Sequence, residues 1–254
     1  MTSTSITFLV PAYNEASNLA AAIEGVREAV DGVVEDWHVL IVDDGSTDGT
    51  GAIAEQLARE DDRVRVVHNG RNRGLGYNYA TGVQLVETDY VMMVPGDNEV
   101  LPAAVRGLLQ RLGCADVVIA HTVNPEVRTR GRALLSKVFT ALVNALFGLH
   151  IRYYNGTTIH RTALIRQVPI TTGGFGFQAE TLVRLLRSGC SYVQAPMMIR
   201  ARPGGRSKAL RPRNVVSVLS TLARLFLSVQ VLERRRYGCV PREIPDPLGV
   251  AVTP

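Results

Sequence analysis

The feature that most constrains this chain is a regular alternation of short apolar runs and amphipathic stretches through its first half. Apolar runs at 6–10, 39–42, 64–68, 90–94 and 117–120 predict strands, and amphipathic stretches at 16–30, 49–60, 76–86 and 102–111 predict the helices between them. Strands separated by helices in this way predict an α/β fold, a doubly wound, mostly parallel sheet with helices on both faces. Such sheets bind ligands at the carboxyl ends of their strands, so the residues that follow each run are the ones to read for chemistry.

Past residue 125 the pattern changes. Residues 128–149 read as a basic start and an amphipathic helix, with Leu135, Phe139, Leu142, Leu146 and Leu149 three or four apart on one face. Tyr153-Tyr154-Asn155-Gly156 predicts a turn and then a short helix. Residues 178–188 predict a helix, 192–199 a strand, and 202–208 a loop broken by Pro203, Gly204 and Gly205. A long helix over 215–236 precedes a Pro-rich tail. This divides a unit over 1–212 into halves at about 1–125 and about 126–212. An amphipathic helix and tail follow over 213–254.

Three turns carry candidate chemistry. Pro11-Ala12-Tyr13-Asn14-Glu15 follows the first strand and offers a ring for base stacking and a carboxylate, although Asn14 also suits a helix cap. Asp43-Asp44-Gly45-Ser46-Thr47-Asp48-Gly49-Thr50 ends the second. Two adjacent carboxylates there need donors, and the N–H and O–H groups of a nucleotide are suitable. Val94-Pro95-Gly96-Asp97-Asn98-Glu99 ends the fourth, and Asp97 with Glu99 suits one hard divalent cation bridging a diphosphate. Arg202, Arg206 and Lys208 on their Gly-rich loop suit phosphate oxygens and a lid. Arg128, Arg130 and Arg132 form either an acceptor-phosphate site or a solvated basic face. Glu180, near a helix start, is either a general base or a carboxylate favoured by the helix dipole.

Several classes are excluded. Cys114, Cys190 and Cys239 stand apart without zinc or disulfide spacing, which fits a reducing cytoplasm. The amino terminus lacks the basic and apolar regions of a signal peptide, and no run reaches the roughly 18 apolar residues of a membrane span. His121, His150 and His160 share no metal spacing and read as structural. Gly74 and Gly76 are followed by Gly82 rather than by a glycine three residues on, which rules out a dinucleotide fingerprint. A net charge of +5 points to anionic partners, but the basic patches lack interleaved aromatics, so nucleic acid is set aside.

The ordered set PAYNE, DDGSTDGT, Asn72-Arg73-Gly74 with Gly76, Ala80 and Gly82, and GDNE resembles the family 2 glycosyltransferases of the GT-A fold. Within that family the chain looks most like the polyprenol-phosphate (dolichol-phosphate) mannosyl and glucosyl synthases. Phe177-Gln178-Ala179-Glu180 and the 202–208 loop extend the match. The resemblance implies a catalytic domain over 1–212, with a nucleotide-binding half over about 1–125 and an acceptor half over about 126–212, and inverting transfer of a hexose from a GDP- or UDP-sugar to a polyprenyl phosphate. Pro11, Tyr13, Glu15, Val42, Asp43, Asp44, Gly96, Asp97, Arg202 and Lys208 would bind the donor. Asp97, Glu180 and Arg202 would serve catalysis, and Arg128, Arg130 and Arg206 would meet an acceptor phosphate. Asp97 and Glu99 match two positions of the family's Asp-x-Asp-x-Gln metal pattern for Mg²⁺ or Mn²⁺, with Pro95 in place of the first Asp.

A soluble saccharide or natural-product acceptor keeps the same donor chemistry, and a silent nucleotide-binding or membrane-docking protein is the third reading. The two long carboxyl-half helices suit a membrane interface, the protein's own core, or a homodimer. The implied location is cytoplasmic, peripheral at the inner face of the cell membrane.

Overall fold

The computed structural model describes residues 4–127, 129–174, 176–200 and 212–249. The alternation of the first half gives β1 (Ile6–Ala12), α1 (Leu19–Val30), β2 (Trp37–Asp43), α2 (Thr50–Glu60), β3 (Val64–His68), α3 (Leu75–Leu85), β4 (Tyr90–Met93), α4 (Pro102–Leu109) and β5 (Val117–Thr122). The rest of the chain adds α5 (Arg130–Phe147), β6 (Thr158–Arg161), α6 (Thr162–Ile165), α7 (Phe177–Arg187), β7 (Ser191–Met197), α8 (Pro212–Phe226) and β8 (Arg242–Glu243). The eight strands form one sheet in the order β3-β2-β1-β4-β6-β5-β7-β8. β6 runs antiparallel to β4 and β5, and every other pairing is parallel.

Both sheet faces are buried, which is why the strands read as continuous apolar runs rather than as alternating ones. Phe8, Val10, Val39, Ile41 and Met92 face one core with Leu19, Ile23, Val26 and Leu108. Leu9, Leu40, Val42, Val91 and Met93 face the other with Tyr79, Phe147, Phe177 and Leu182. Gly82 on α3 lets that helix approach β1: a Cβ there would stand 2.2 Å from Leu9 Cδ1.

Two expectations are revised. The short helix expected after Asn155-Gly156 is present as α6 (Thr162–Ile165), but the chain first forms an unexpected strand, β6, inserted between β4 and β5. The single apolar face of the 128–149 helix divides. Phe139 and Leu146 pack on the core beside Val143 and Phe147, whereas Leu135 and Leu142 stay exposed with Leu134 and Val138. The last long helix turns π-helical over Leu227–Leu232. The tail then returns to the sheet through β8 and beyond it presents Asp246 to Arg111.

That contact fastens the carboxyl-terminal tail. Arg111, 3% exposed, donates through Nε and Nη2 to the two Asp246 carboxylate oxygens at 2.7 and 2.6 Å. The guanidinium holds the Asp246 carboxyl below the usual carboxylate range. A depressed folded value means that the stabilisation is present above the unfolded pKa and lost as pH falls through the folded one. Asp246→Ala leaves a buried charge without its partner, so urea unfolding at neutral pH is expected to show a loss of about 3–5 kcal/mol that shrinks in acid.

Candidate active site at the carboxyl ends of the strands

The turns after β1 and β2 are laced together. Asn14 donates its backbone N–H to Ser46 Oγ at 3.0 Å, and its side-chain oxygen accepts the Thr47 N–H at 2.9 Å. Glu15 N–H donates to Thr50 Oγ1 at 2.8 Å, and Ala16 N–H to Asp48 Oδ2 at 3.2 Å. Asn14 adopts φ 57°, a left-handed conformation that asparagine tolerates. It joins the two turns instead of capping α1, which starts only at Leu19. The lacing leaves Tyr13 40% exposed at the sheet's carboxyl edge, its ring accessible to a flat ligand.

The adjacent carboxylates, both buried, find donors inside the chain. Asp44 accepts Asn69 Nδ2 and Arg73 N–H on one oxygen, both at 2.8 Å, and Gly74 N–H on the other at 2.9 Å. It therefore holds the 69–74 loop, and Gly74 at φ 90° makes the turn that the loop requires. Asp43 accepts Ser46 N–H at 3.0 Å on one oxygen and faces His68 Nδ1 at 2.9 Å with the other. Burial alone would raise its pKa, but the bonds from Ser46 and His68 outweigh that and hold it below the ordinary range. A carboxylate has about four acceptor positions. Asp43 takes its donors from Ser46 and His68 beside its own turn, whereas Asp44 spends three positions on the 69–74 loop.

Val42 points into the second core and is buried, and Pro11 ends buried in β1. Gly96 packs close behind β1, where a Cβ would meet Ala12 Cβ at 3.2 Å. Asp97 and Glu99 flank Asn98 (φ 55°), with Glu99 N–H donating to Asp97 Oδ1 at 3.2 Å. The two carboxylates thus share one tight turn at the end of β4. Among the described residues no group of three or more His, Cys, Asp or Glu side chains is placed to hold a metal. A two-carboxylate set fits a Mg²⁺-type ion that keeps other ligands from substrate phosphates and water.

Glu180 lies in the first turn of α7 and is only 2% exposed. Its oxygens accept Thr171 N–H and Oγ1–H at 3.0 and 2.6 Å and Thr172 N–H at 3.1 Å, and Arg184 stands 3.6 Å away. That anchored segment in turn meets the start of α3. Gly76 N–H donates to Gly173 O at 3.0 Å, and a Cβ on Gly76 would stand 2.2 Å from Thr172 O. Arg184 continues the chain of contacts to Ser228 Oγ at 3.1 Å, Tyr237 Oη at 3.3 Å and Glu233 at 3.7 Å.

Arg128, Arg202, Arg206 and Lys208 lie outside the described residues, as does the Arg130 side chain, although its backbone opens α5. Arg132 is half-buried on α5. His68 escaped sequence reading although it touches Asp43. It is the last residue of β3, and only its register opposite Asp43 reveals it. Asn69 was equally silent. Of the three histidines read as structural, His160 is buried with Nδ1 2.7 Å from Tyr79 Oη, its pKa pushed down to about 3 by burial. His121 is lowered to about 4 by burial and then by Arg152.

Residues 7–175 match the family model described as glycosyl transferase family 2. The chain belongs to this family. It is a glycosyltransferase with a GT-A-like sheet. It is 32% identical over 213 residues to the polyprenol monophosphomannose synthase of Mycolicibacterium smegmatis, covering 79% of each chain. It is 30% identical over 211 residues to the undecaprenyl-phosphate mannosyltransferase of Micrococcus luteus, covering 79% of this chain and 85% of that one. Among solved structures, mannosyl-3-phosphoglycerate synthase from Rubrobacter xylanophilus superposes with TM-score 0.73 at 18% identity over 94% of this chain and 79% of that one. Glucosyl-3-phosphoglycerate synthase from Mycobacterium tuberculosis, in complex with Mn²⁺, uridine diphosphate and phosphoglyceric acid, gives 0.66 at 20% identity over 88% and 78%. At such identities the likeness concerns the fold alone.

The geometry of this glycosyltransferase separates the two aspartates. Asp44→Asn presents an amide where backbone N–H groups converge. It is expected to cost about 1.5–3 kcal/mol of stability, the scale of one charge-assisted hydrogen bond. Hydrogen exchange should show Arg73 and Gly74 amides losing protection while the β1 amides keep theirs.

Proposed function

We propose that this glycosyltransferase moves a hexose, with inversion, from a GDP- or UDP-sugar to a polyprenyl phosphate at the cytoplasmic face of the membrane. The observation that carries the acceptor is the likeness, over most of both chains, to two enzymes named for transfer to polyprenol and undecaprenyl phosphate. The donor end rests on the exposed Tyr13 ring at the carboxyl end of β1, next to the Asp43 carboxylate that Ser46 and His68 hold ionised at the end of β2.

In this reading Tyr13 stacks on the base, and Asp43 and Glu15 receive N–H or O–H groups of the nucleoside. Asp97 and Glu99 would hold a Mg²⁺ or Mn²⁺ ion at the diphosphate. When bound, the metal offsets the negative charge that grows on the departing diphosphate. One acceptor phosphate oxygen bonds to the sugar's anomeric carbon from the face opposite the diphosphate as that older C–O bond breaks. The phosphate is already ionised near neutral pH, so no residue need take its proton. Glu180, both oxygens engaged with Thr171 and Thr172, serves as a positioning residue for the segment behind Gly76. Arg202, Arg206 and Lys208 are assigned to the donor and acceptor phosphates by residue type, as are Arg128 and Arg130.

Among the described residues no helix is long and apolar enough to cross a membrane. Leu134, Val138 and Leu142 on α5, with Leu219, Leu227, Val231 and Leu232 on and after α8, are exposed apolar side chains, and Arg132, Lys137, Arg224 and Arg234 lie within a few positions of them in the sequence. Exposed apolar groups among basic ones suit peripheral contact with an anionic lipid surface.

The test incubates the full chain with radiolabelled GDP-mannose or UDP-glucose and undecaprenyl phosphate, with and without Mn²⁺. Label should enter the organic phase, and Asp97→Ala should slow its appearance by at least ~100-fold, the scale of losing one element of charge stabilisation. A water-soluble product would overturn the lipid acceptor and leave the donor half standing.

A further inference from the structure

His68 ends β3 directly opposite Asp43 in the parallel register. Its Nδ1 lies 2.9 Å from Asp43 Oδ2, and its Nε2 lies 2.9 Å from Glu55 Oε1 on α2. A neutral imidazole has one N–H, so between two carboxylates it would press a lone pair against an anion. The imidazolium donates at both ends. We propose that His68 is a positioning residue for donor binding: gripped between Asp43 and Glu55, it fixes the Asp43 carboxylate for the nucleotide and makes donor affinity depend on pH. The inference rests on the assignment of Asp43 to the nucleotide pocket.

Three further observations carry it. The first turn of α2 leaves no slack around the pair, since a Cβ on Gly51 would stand 2.9 Å from Asp43 Oδ2 and 3.2 Å from His68 Cε1. The other Asp43 oxygen is tied to Ser46 N–H, and Ser46 Oγ takes the Asn14 N–H. The orientation of Asp43 is thereby linked to the turn that presents Tyr13. Finally, the three groups differ in access to water. The Asp43 side chain is 7% exposed, whereas His68 and Glu55 are 42% and 49% exposed. Solvent protons therefore reach the histidine without opening the site, and Glu55 modulates the histidine from outside.

The charged groups facing His68 are Asp43 from β2 and Glu55 from α2. Asp43 first, and then Glu55, raise its pKa above the ordinary histidine value, against the opposing effect of burial. A raised folded value means that the grip is complete below the ordinary range and is lost as pH rises through the raised one. A pair that merely stabilised the fold would move the melting temperature and leave the pH profile of donor affinity unchanged.

The experiment measures the Kd of GDP-mannose and UDP-glucose, each with Mn²⁺, by calorimetry from mildly acidic to mildly alkaline pH. The diphosphate diester of these probes has no group that titrates there. For whichever sugar nucleotide binds, affinity should fall as pH rises. His68→Ala should weaken binding by about tenfold at acidic pH, the value of one charge-assisted hydrogen bond. His68→Gln should recover part of that loss with a flat pH profile. Glu55→Gln, on the outer face of α2, should move the fall-off to lower pH by removing one of the two anions that favour the proton. Asp43→Asn should abolish binding at every pH. If Glu55→Gln and both His68 variants keep the unmodified pH profile while Asp43→Asn loses binding, the positioning role is overturned and the pocket assignment stands. If Asp43→Asn binds normally, or the unmodified chain binds neither sugar nucleotide, the pocket assignment itself fails.

Discussion

A carboxylate removed from water must find donors, and that demand organises the carboxyl end of this sheet. Asp44 takes two backbone N–H groups and one side-chain amide from the 69–74 loop. Glu180 takes two backbone N–H groups and a hydroxyl from Thr171 and Thr172. The two anchored segments then meet where Gly76 N–H donates to Gly173 O, a contact so close that only glycine fits at position 76. Loops that apolar packing could not order are fixed by buried charge. Each carboxylate also fixes the position of the other's loop.

Most of the sheet was legible because its strands are buried on both faces, so composition alone marks them. β1 to β5 and β7 fall where apolar runs predict them. β6 was not legible. It offers only Thr158-Ile159-His160-Arg161, with two polar side chains buried beside strands the chain left long before. Its identity comes from the gap between β4 and β5 that it fills, a long-range fact. The same distinction applies at the site. The Asp43-Asp44 pair announces itself, but the division of labour between them is decided by Asn69, Arg73 and Gly74, twenty-five to thirty positions away. His68 carries no motif at all. Its meaning lies in the register that sets β3 beside β2.

The carboxyl half connects the same network to the outer helices. Arg184 is almost fully buried and touches Glu180 on its own helix. Across the packing interface it reaches Ser228 and Tyr237, which lie in and after the π-helical turn. Ser228 Oγ in turn donates to Glu233 Oε1 at 2.5 Å. A buried arginine needs this many acceptors, since an unpaired guanidinium in a core is costly. The consequence is that the π-helical segment is tied through two side chains, Arg184 and Glu180, to the segment behind Gly76. The apolar residues it leaves exposed therefore sit on a support that is continuous with the site.

The charge at the end of β4 bears on how a metal enters the proposed reaction. Family members that carry an acidic residue at position 95 would offer a third carboxylate, whereas Pro95 offers none and stiffens the turn before Gly96. Two carboxylates and a diphosphate together present about four negative charges, so they repel one another unless a cation lies between them. With Asp97 and Glu99 as the carboxylates proposed to hold it, the cation's remaining ligands would come from the donor and from water. Metal and donor affinity are then one coupled quantity, each raising the other by the same factor. In the proposed reaction, Pro95 would thus shift the burden of metal binding from the resting protein to the complex.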